Sequence, residues 1–150
     1  YCATIANGGT RHSASILKTV RSYDGSKLIY ENEAEVLSTV ETSDYNWAAV
    51  QKGMYLVAND RAGSAYETFG DYGVKVAAKT GTAQLGDNQV NNAIFICYAP
   101  YDNPKVAVAV VVEHGSAGAS IASIARGFLD AYFTVKTVDT APESELSLLR

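Results

Sequence analysis

Val74-Lys75-Val76-Ala77-Ala78-Lys79-Thr80-Gly81-Thr82-Ala83-Gln84 is the stretch on which the reading of this chain turns. Its alternating Val and Ala predict a strand over 74–84 that runs into Lys-Thr-Gly-Thr. Each residue type there has a chemical use. Lys79 places a compact ammonium at the end of a rigid element, and Thr80 and Thr82 offer hydroxyls that can hold a carboxylate. Gly81 sits inside a strand, where it packs nothing and often marks close approach of a ligand or of another backbone. A substrate lying along the strand at Gly81 would reach the backbone N–H of Thr82, and a rigidly held N–H is a good oxyanion donor. The same letters also fit a plain exposed strand end with a chance Lys and a bend Gly, so the rest of the chain has to decide.

Downstream, 92–99 reads as a second strand. Pro100-Tyr101-Asp102-Asn103-Pro104 is a turn bounded by its prolines, and 105–113 is a third strand. The run Val106-Ala107-Val108-Ala109-Val110-Val111-Val112 is apolar at every position, which predicts a central strand covered on both faces. Three strands joined by short connections make an antiparallel meander in the order 74–84, 92–99, 105–113. Ser120 is the expected cap of a helix over 120–133. Ile121, Ile124, Ala125, Phe128, Leu129 and Tyr132 form its apolar stripe, to lie across one face of the meander. The polar segment 134–150, with Pro142-Glu143-Ser144-Glu145, is expected to be a loose tail, and 85–91 a polar loop.

Upstream, 1–6 reads as the end of a helix stopped by Asn7-Gly8-Gly9. A hairpin follows, with arms over 15–20 and 27–30 around Tyr23-Asp24-Gly25-Ser26. A helix is expected over 43–59, capped by Thr42 or Ser43, with Trp47, Val50, Met54 and Val57 as its core stripe. The segment 64–69 adds a turn before the decisive strand.

Bulk properties narrow the function. The 150 residues suit one domain, and 47% hydrophobic content suffices for a core. A net charge of −4 without a basic run argues against nucleic acid as a partner. The longest apolar run, 106–112, is far too short to span a membrane. The chain begins at Tyr1 rather than Met and reads as a piece of something longer. Cys2 and Cys97 sit in apolar settings and are expected to be buried free thiols. No Cys or His spacing suits zinc, so no metal or other cofactor is expected. His12 and His114 read as structural or surface residues.

The layout resembles the penicillin-binding protein and serine β-lactamase fold in its C-terminal portion, an α/β (α+β) architecture whose sheet is covered by a C-terminal helix. Ala6-Asn7-Gly8-Gly9-Thr10 looks like a helix end that recurs in transpeptidase domains. Trp47, Val50 and Gly53-Met54 resemble the Trp-x-x-Val-x-x-Gly-Met helix ahead of the key strand. Ala78-Lys79-Thr80-Gly81-Thr82-Ala83-Gln84 is similar to Gly-Lys-Thr-Gly-Thr-Ala-Gln. Val112-Glu113-His114-Gly115 and Asp130-Ala131-Tyr132-Phe133 look like the close of a class B penicillin-binding protein of the cell-elongation type. The resemblance covers roughly 1–133, four motifs in the right order.

Two departures stand out. Ala78 replaces the usual Gly, which is expected to tighten the space before Lys79. The family's Ser-x-x-Lys and Ser-x-Asn motifs, which lie upstream of the key strand, are not found. Ser15-Ile16-Leu17-Lys18 fits Ser-x-x-Lys by letter. The chemistry, however, needs Ser and Lys one helical turn apart, and this segment alternates like a strand. Ser43-Asp44-Tyr45-Asn46 is one residue too long for Ser-x-Asn and is better read as a helix cap.

What the resemblance implies is a peptidoglycan D,D-transpeptidase that cross-links stem peptides through an acyl-serine and is acylated by β-lactams, at the extracytoplasmic face of the membrane. Lys79 would polarise a proton-relay Ser and draw in the substrate carboxylate, which Thr80 and Thr82 would bind. Thr82 N–H would be an oxyanion donor and Gln84 a rim residue. The partners implied are the stem peptide, β-lactams, the remainder of the transpeptidase domain and cell-elongation membrane proteins. The nucleophile would lie outside this chain, which alone would be inactive. A β-lactam sensor, a β-lactamase, a non-catalytic scaffold of the same fold and an unrelated binding module stay open on the sequence.

Overall fold

The computed structural model describes residues 1–86 and 89–139. Its centre is a three-stranded antiparallel sheet of β5 (Ala77–Ala83), β6 (Asn92–Ala99) and β7 (Val106–Val112), in that spatial order, as the alternation predicts. Ala77 pairs with Tyr98 and Ala83 with Asn92; Ala93 pairs with Val112 and Ala99 with Val106.

This register sorts the side chains into two faces. Ala78, Thr80 and Thr82 share a face with Ala93, Phe95, Cys97, Val108 and Val110. There Ala78, Phe95 and Cys97 pack with Ile121, Ala125 and Leu129 and with Phe69 of α3 (Tyr66–Phe69). Phe69 and Phe95 stack with ring centroids 5.9 Å apart. On the opposite face Ala77 and Tyr98 pack with Cys2 and Ile5 of α1 (Cys2–Ala6) and Met54 of α2 (Asp44–Asn59).

α4 (Ala122–Asp139) is entered through a 3-10 turn, Gly118–Ile121. Ser120 does not cap it as expected: its hydroxyl donates to Ala117 O at 2.6 Å, tightening the turn. α4 also continues past 133, so the part of the expected loose tail up to Asp139 is helical, while 140–150 lie outside the described residues. Of the expected stripe, Ile121, Ala125 and Leu129 are buried, while Ile124 and Phe128 stand 44% and 61% exposed. α2 behaves likewise. Ser43 Oγ accepts from Asn46 N as the expected cap, and Met54 and Ala58 are buried, but Val50 remains 47% exposed.

The largest correction concerns β7. Among the described residues it pairs only with β6 and is an edge strand, and β6 is the central one. Val110 is buried and Val106, Val108 and Val112 half-buried on the α4 side, while Ala107, Ala109 and Val111 face outward and are exposed. Continuous apolarity reported a strand that neighbours could cover, not which neighbours are there. The key strand also begins at Ala77 rather than 74. Just before it, Lys75 O accepts from Tyr101 N at 2.8 Å and Val76 O from Asn59 Nδ2 at 2.7 Å, so loop and helix take these carbonyls before the ladder starts.

The N-terminal hairpin forms from β2 (Thr19–Arg21) and β3 (Leu28–Glu31), shorter than expected in its first arm. Asp24 accepts from Ser22 Oγ and from Ser26 N and Oγ at its turn, and these bonds hold its carboxyl down at about 2. A second two-stranded sheet, β1 (Thr10–His12) with β4 (Val36–Thr39), was not legible, since its strands are short, solvent-facing and far apart in sequence. Cys2 and Cys97 are buried free thiols, as expected; burial pushes them up to about 11 and about 12.

The α4 packing gives a direct test. Leu129→Ala should cost about 2–5 kcal/mol by leaving a cavity against the sheet, whereas Phe128→Ala one residue away should cost under about 1 kcal/mol, as for an exposed position. Urea denaturation midpoints of the two variants would decide; equal losses would mean that α4 is seated differently.

Candidate active site

β5 is buried at one end and open at the other. Ala77 and Ala78 are fully buried, Lys79 and Thr82 exposed, and Thr80 and Gly81 half-buried. The small apolar pair seats the strand in the core and projects Lys-Thr-Gly-Thr beyond it. Among the described residues β5 pairs on one side only, so its outer edge is open.

Alternation gives this segment two chemistries. Thr80 and Thr82 project to the α4 side and Lys79 to the other. Lys79 Nζ donates to Thr80 O, and no carboxylate pairs with it among the described residues. Ala78 does not crowd Lys79: its methyl points into the α4-side core, opposite the face Lys79 uses. Gly81 is paired with Ile94, and the three atoms nearest to an added Cβ all belong to Ile94, the closest at 3.3 Å. That contact is tight without being a clash, so β5–β6 pairing alone does not demand glycine.

A backbone does approach closely here, from the 3-10 turn. A Cβ on Gly118 would lie 2.2 Å from Ile94 O, 2.6 Å from Gly81 N and 2.7 Å from Gly81 O. The turn before α4 therefore rests directly on the β5–β6 ladder at Gly81. The preceding loop is fixed by His114, whose N–H donates to Asn92 Oδ1 at 3.0 Å and whose Nδ1 lies 3.1 Å from Val90 O. His114 is structural, as read from the sequence.

Sequence reasoning missed Ser64. Its Oγ lies 2.9 Å from Thr80 Oγ1, on the edge of the key strand. No signal marked it, because Ser64 reads as the first residue of an ordinary turn over 64–69. The other sequence candidates separate from the site. Gln84 is exposed one residue past the end of β5. Ser15 and Lys18 lie in irregular backbone before β2, with Ser15 Oγ donating to Leu17 O at 3.0 Å, so no helical turn brings them together.

Comparison with known proteins fits this arrangement. Residues 1–130 match the penicillin binding protein transpeptidase domain. The chain belongs to that family. Its relatives include the peptidoglycan D,D-transpeptidase MrdA of Escherichia coli, 39% identical over 98 residues, covering 56% of this chain and 16% of that protein. Penicillin-binding protein 2A of Bacillus subtilis is 32% identical over 156 residues, covering 91% of this chain and 21% of its own length. Among solved structures, penicillin-binding protein 2B of Streptococcus pneumoniae superposes with a TM-score of 0.74 at 32% identity, over 90% of this chain and 24% of that one. Penicillin-binding protein A of M. tuberculosis, solved as an imipenem acyl-enzyme complex, gives a TM-score of 0.71 at 31% identity, over 88% of this chain and 29% of that one. The chain thus spans 16% to 21% of the length of these curated relatives. The transpeptidase-domain fold read from the sequence is the fold observed.

The contact at Gly118 can be tested by substitution. Gly118→Ala should lose about 1–3 kcal/mol of stability through overpacking against the ladder. Gly53→Ala, an α2 position where an added Cβ meets nothing within 4 Å, should instead gain about 0.5–1 kcal/mol from helix propensity. Thermal unfolding of both variants supplies the comparison, and a neutral Gly118→Ala would refute the close approach.

Proposed function

We propose that the intact protein is a serine-type peptidoglycan D,D-transpeptidase and that β5 forms one wall of its acylation site. The observation that carries this is the open outer edge of β5, projecting Lys79-Thr80-Gly81-Thr82 from a buried Ala77-Ala78 seat, in a chain of this family. An activated Ser from the rest of the protein attacks the D-alanyl-D-alanine peptide of a stem peptide, and an amine of a neighbouring stem then takes the acyl group. A β-lactam enters as a mimic of the donor and leaves the Ser acylated.

The wall acts through charge and through fixed donors. Lys79 supplies the cation that draws in the substrate carboxylate and polarises the proton-relay Ser. Thr80 and Thr82, on the same face of the strand, donate their hydroxyls to that carboxylate. The backbone N–H of Thr82 is one oxyanion donor, and such a donor is worth about 3–4 kcal/mol in the transition state. The peptide lies along the open edge as an added strand, with Gln84 at the rim. The remainder of the domain packs on the outward side chains of β7, where Val111 is 65% exposed. It brings the Ser and Lys of the nucleophile motif, so residues 1–150 alone have no acylating activity. The enzyme works at the extracytoplasmic face of the membrane, held by a segment outside this chain, beside membrane proteins of cell elongation.

Lys79→Ala in the intact protein should abolish acylation by fluorescent penicillin while leaving the melting temperature close to wild type, because an exposed side chain leaves no cavity. Thr82→Ala should be milder, losing about 1.5–3 kcal/mol for one hydrogen bond to a charged group, since the backbone N–H survives. Acylation rates with melting as control test both. An unchanged rate in Lys79→Ala would remove this strand from the acylation chemistry.

A further inference from the structure

The end of α2 and the key strand are tied together at two heights. Below the strand, Asn59 Nδ2 donates to both Tyr55 O, at 2.8 Å, and Val76 O, at 2.7 Å. Further along β5, Ser64 Oγ meets Thr80 Oγ1 at 2.9 Å. Ser64 is no free loop residue, because its neighbours on both sides are pinned. A Cβ on Gly63 would sit 2.4 Å from both Leu56 O and Val57 O, so this residue lies flat on the last turns of α2, with its N–H on Asp60 O at 2.8 Å. Ala65 is 2% exposed and its N–H donates to Val57 O at 3.0 Å. Between these two, Ser64 presents its hydroxyl at one place on the strand edge.

We propose that Ser64 is a positioning residue that orients the Thr80 hydroxyl toward the substrate carboxylate. This rests on the reading of β5 as the carboxylate-binding wall. A hydroxyl has one proton to donate and two lone pairs. A carboxylate only accepts, so Thr80 bound to one has given away its proton and can receive Ser64 only as a donor. The bond then has a single sense: Ser64 O–H to Thr80 Oγ1, Thr80 O–H to the carboxylate. Each bond polarises the next, which makes Thr80 a stronger donor than a lone threonine. Ser64 touches neither the reacting atoms nor the anion; it acts through Thr80. The Gly63–Ala65 anchorage keeps this partner in place before the substrate arrives, so little ordering is left for the binding step.

The test pairs two variants with two probes in the full-length protein: Ser64→Ala and Ser64→Thr, against benzylpenicillin and its methyl ester, with covalent adduct followed by intact-protein mass. Ser64→Ala should slow acylation by benzylpenicillin about five- to tenfold, the range of one ordinary hydrogen bond, and change the ester rate by less than about twofold. Ser64→Thr should recover most of the benzylpenicillin rate. In a Thr80→Val background, Ser64→Ala should cost nothing more, since the pair acts as a unit. Equal slowing with acid and ester would mean that Ser64 merely holds the strand, and no slowing with the acid would mean it is idle; either overturns the proposal. A wild-type protein that takes up neither probe would instead overturn the penicillin-reactive reading of β5, and this inference with it.

Discussion

The antiparallel pairing of Ala77–Ala83 with Asn92–Ala99 is the constraint on which the rest of the structure depends. One end of this ladder is lined with small buried residues, Ala77, Ala78 and Ala99 among them. Small side chains let α1 and α2 approach from one face and α4 from the other, and the ladder is thereby gripped. The other end carries the polar residues and extends out of the grip. A strand held in this way presents its functional groups without needing to order them, which is the condition for donors that stabilise developing charge.

That rigidity is reinforced from both sides of β5. The 3-10 turn at Gly118 lies against Gly81 and Ile94 with no room for a methyl group. From α2, Asn59 holds the carbonyl of Val76 just before the strand, and Ser64, five residues past Asn59, meets the Thr80 side chain. A loop that looks like a covering layer thus also sets where the Thr80 hydroxyl can be. Arg126 performs a similar task at a distance: it donates to Thr68 O and pairs with Asp71 at 3.2 Å, joining α4 to the segment that leads into the key strand.

The two edges of the sheet differ. β5 exposes an edge flanked by polar, chemically capable side chains. β7 exposes an edge with Ala107, Ala109 and Val111 turned outward on one face. An apolar, unpaired strand of Val and Ala is a strong template for further pairing, and the chain spans only 16% to 21% of the curated relatives it matches. In the proposed function the polar edge takes the substrate strand and the apolar strand takes more of the same domain.

Much of this was legible in the residues alone. Period-two alternation located the three strands, the proline-bounded turn forced their meander, and Lys79-Thr80-Gly81-Thr82 carried the resemblance that residues 1–130 bear out. These features are local: a strand, a turn and a cap are decided by neighbours within a few residues. The sequence could not say that Val106–Val112 pairs on one side only among the described residues, since burial on both faces and the capacity for it are written with the same apolar letters. Nor could it say that Ala78 turns its methyl away from Lys79, that Gly118 rests on Gly81, or that Ser64 reaches Thr80. Each of those is a contact between segments many residues apart, and nothing in either segment encodes its partner. Only the packing of α2, α4 and the sheet brings them within a few ångströms, where sterics and hydrogen-bond geometry decide.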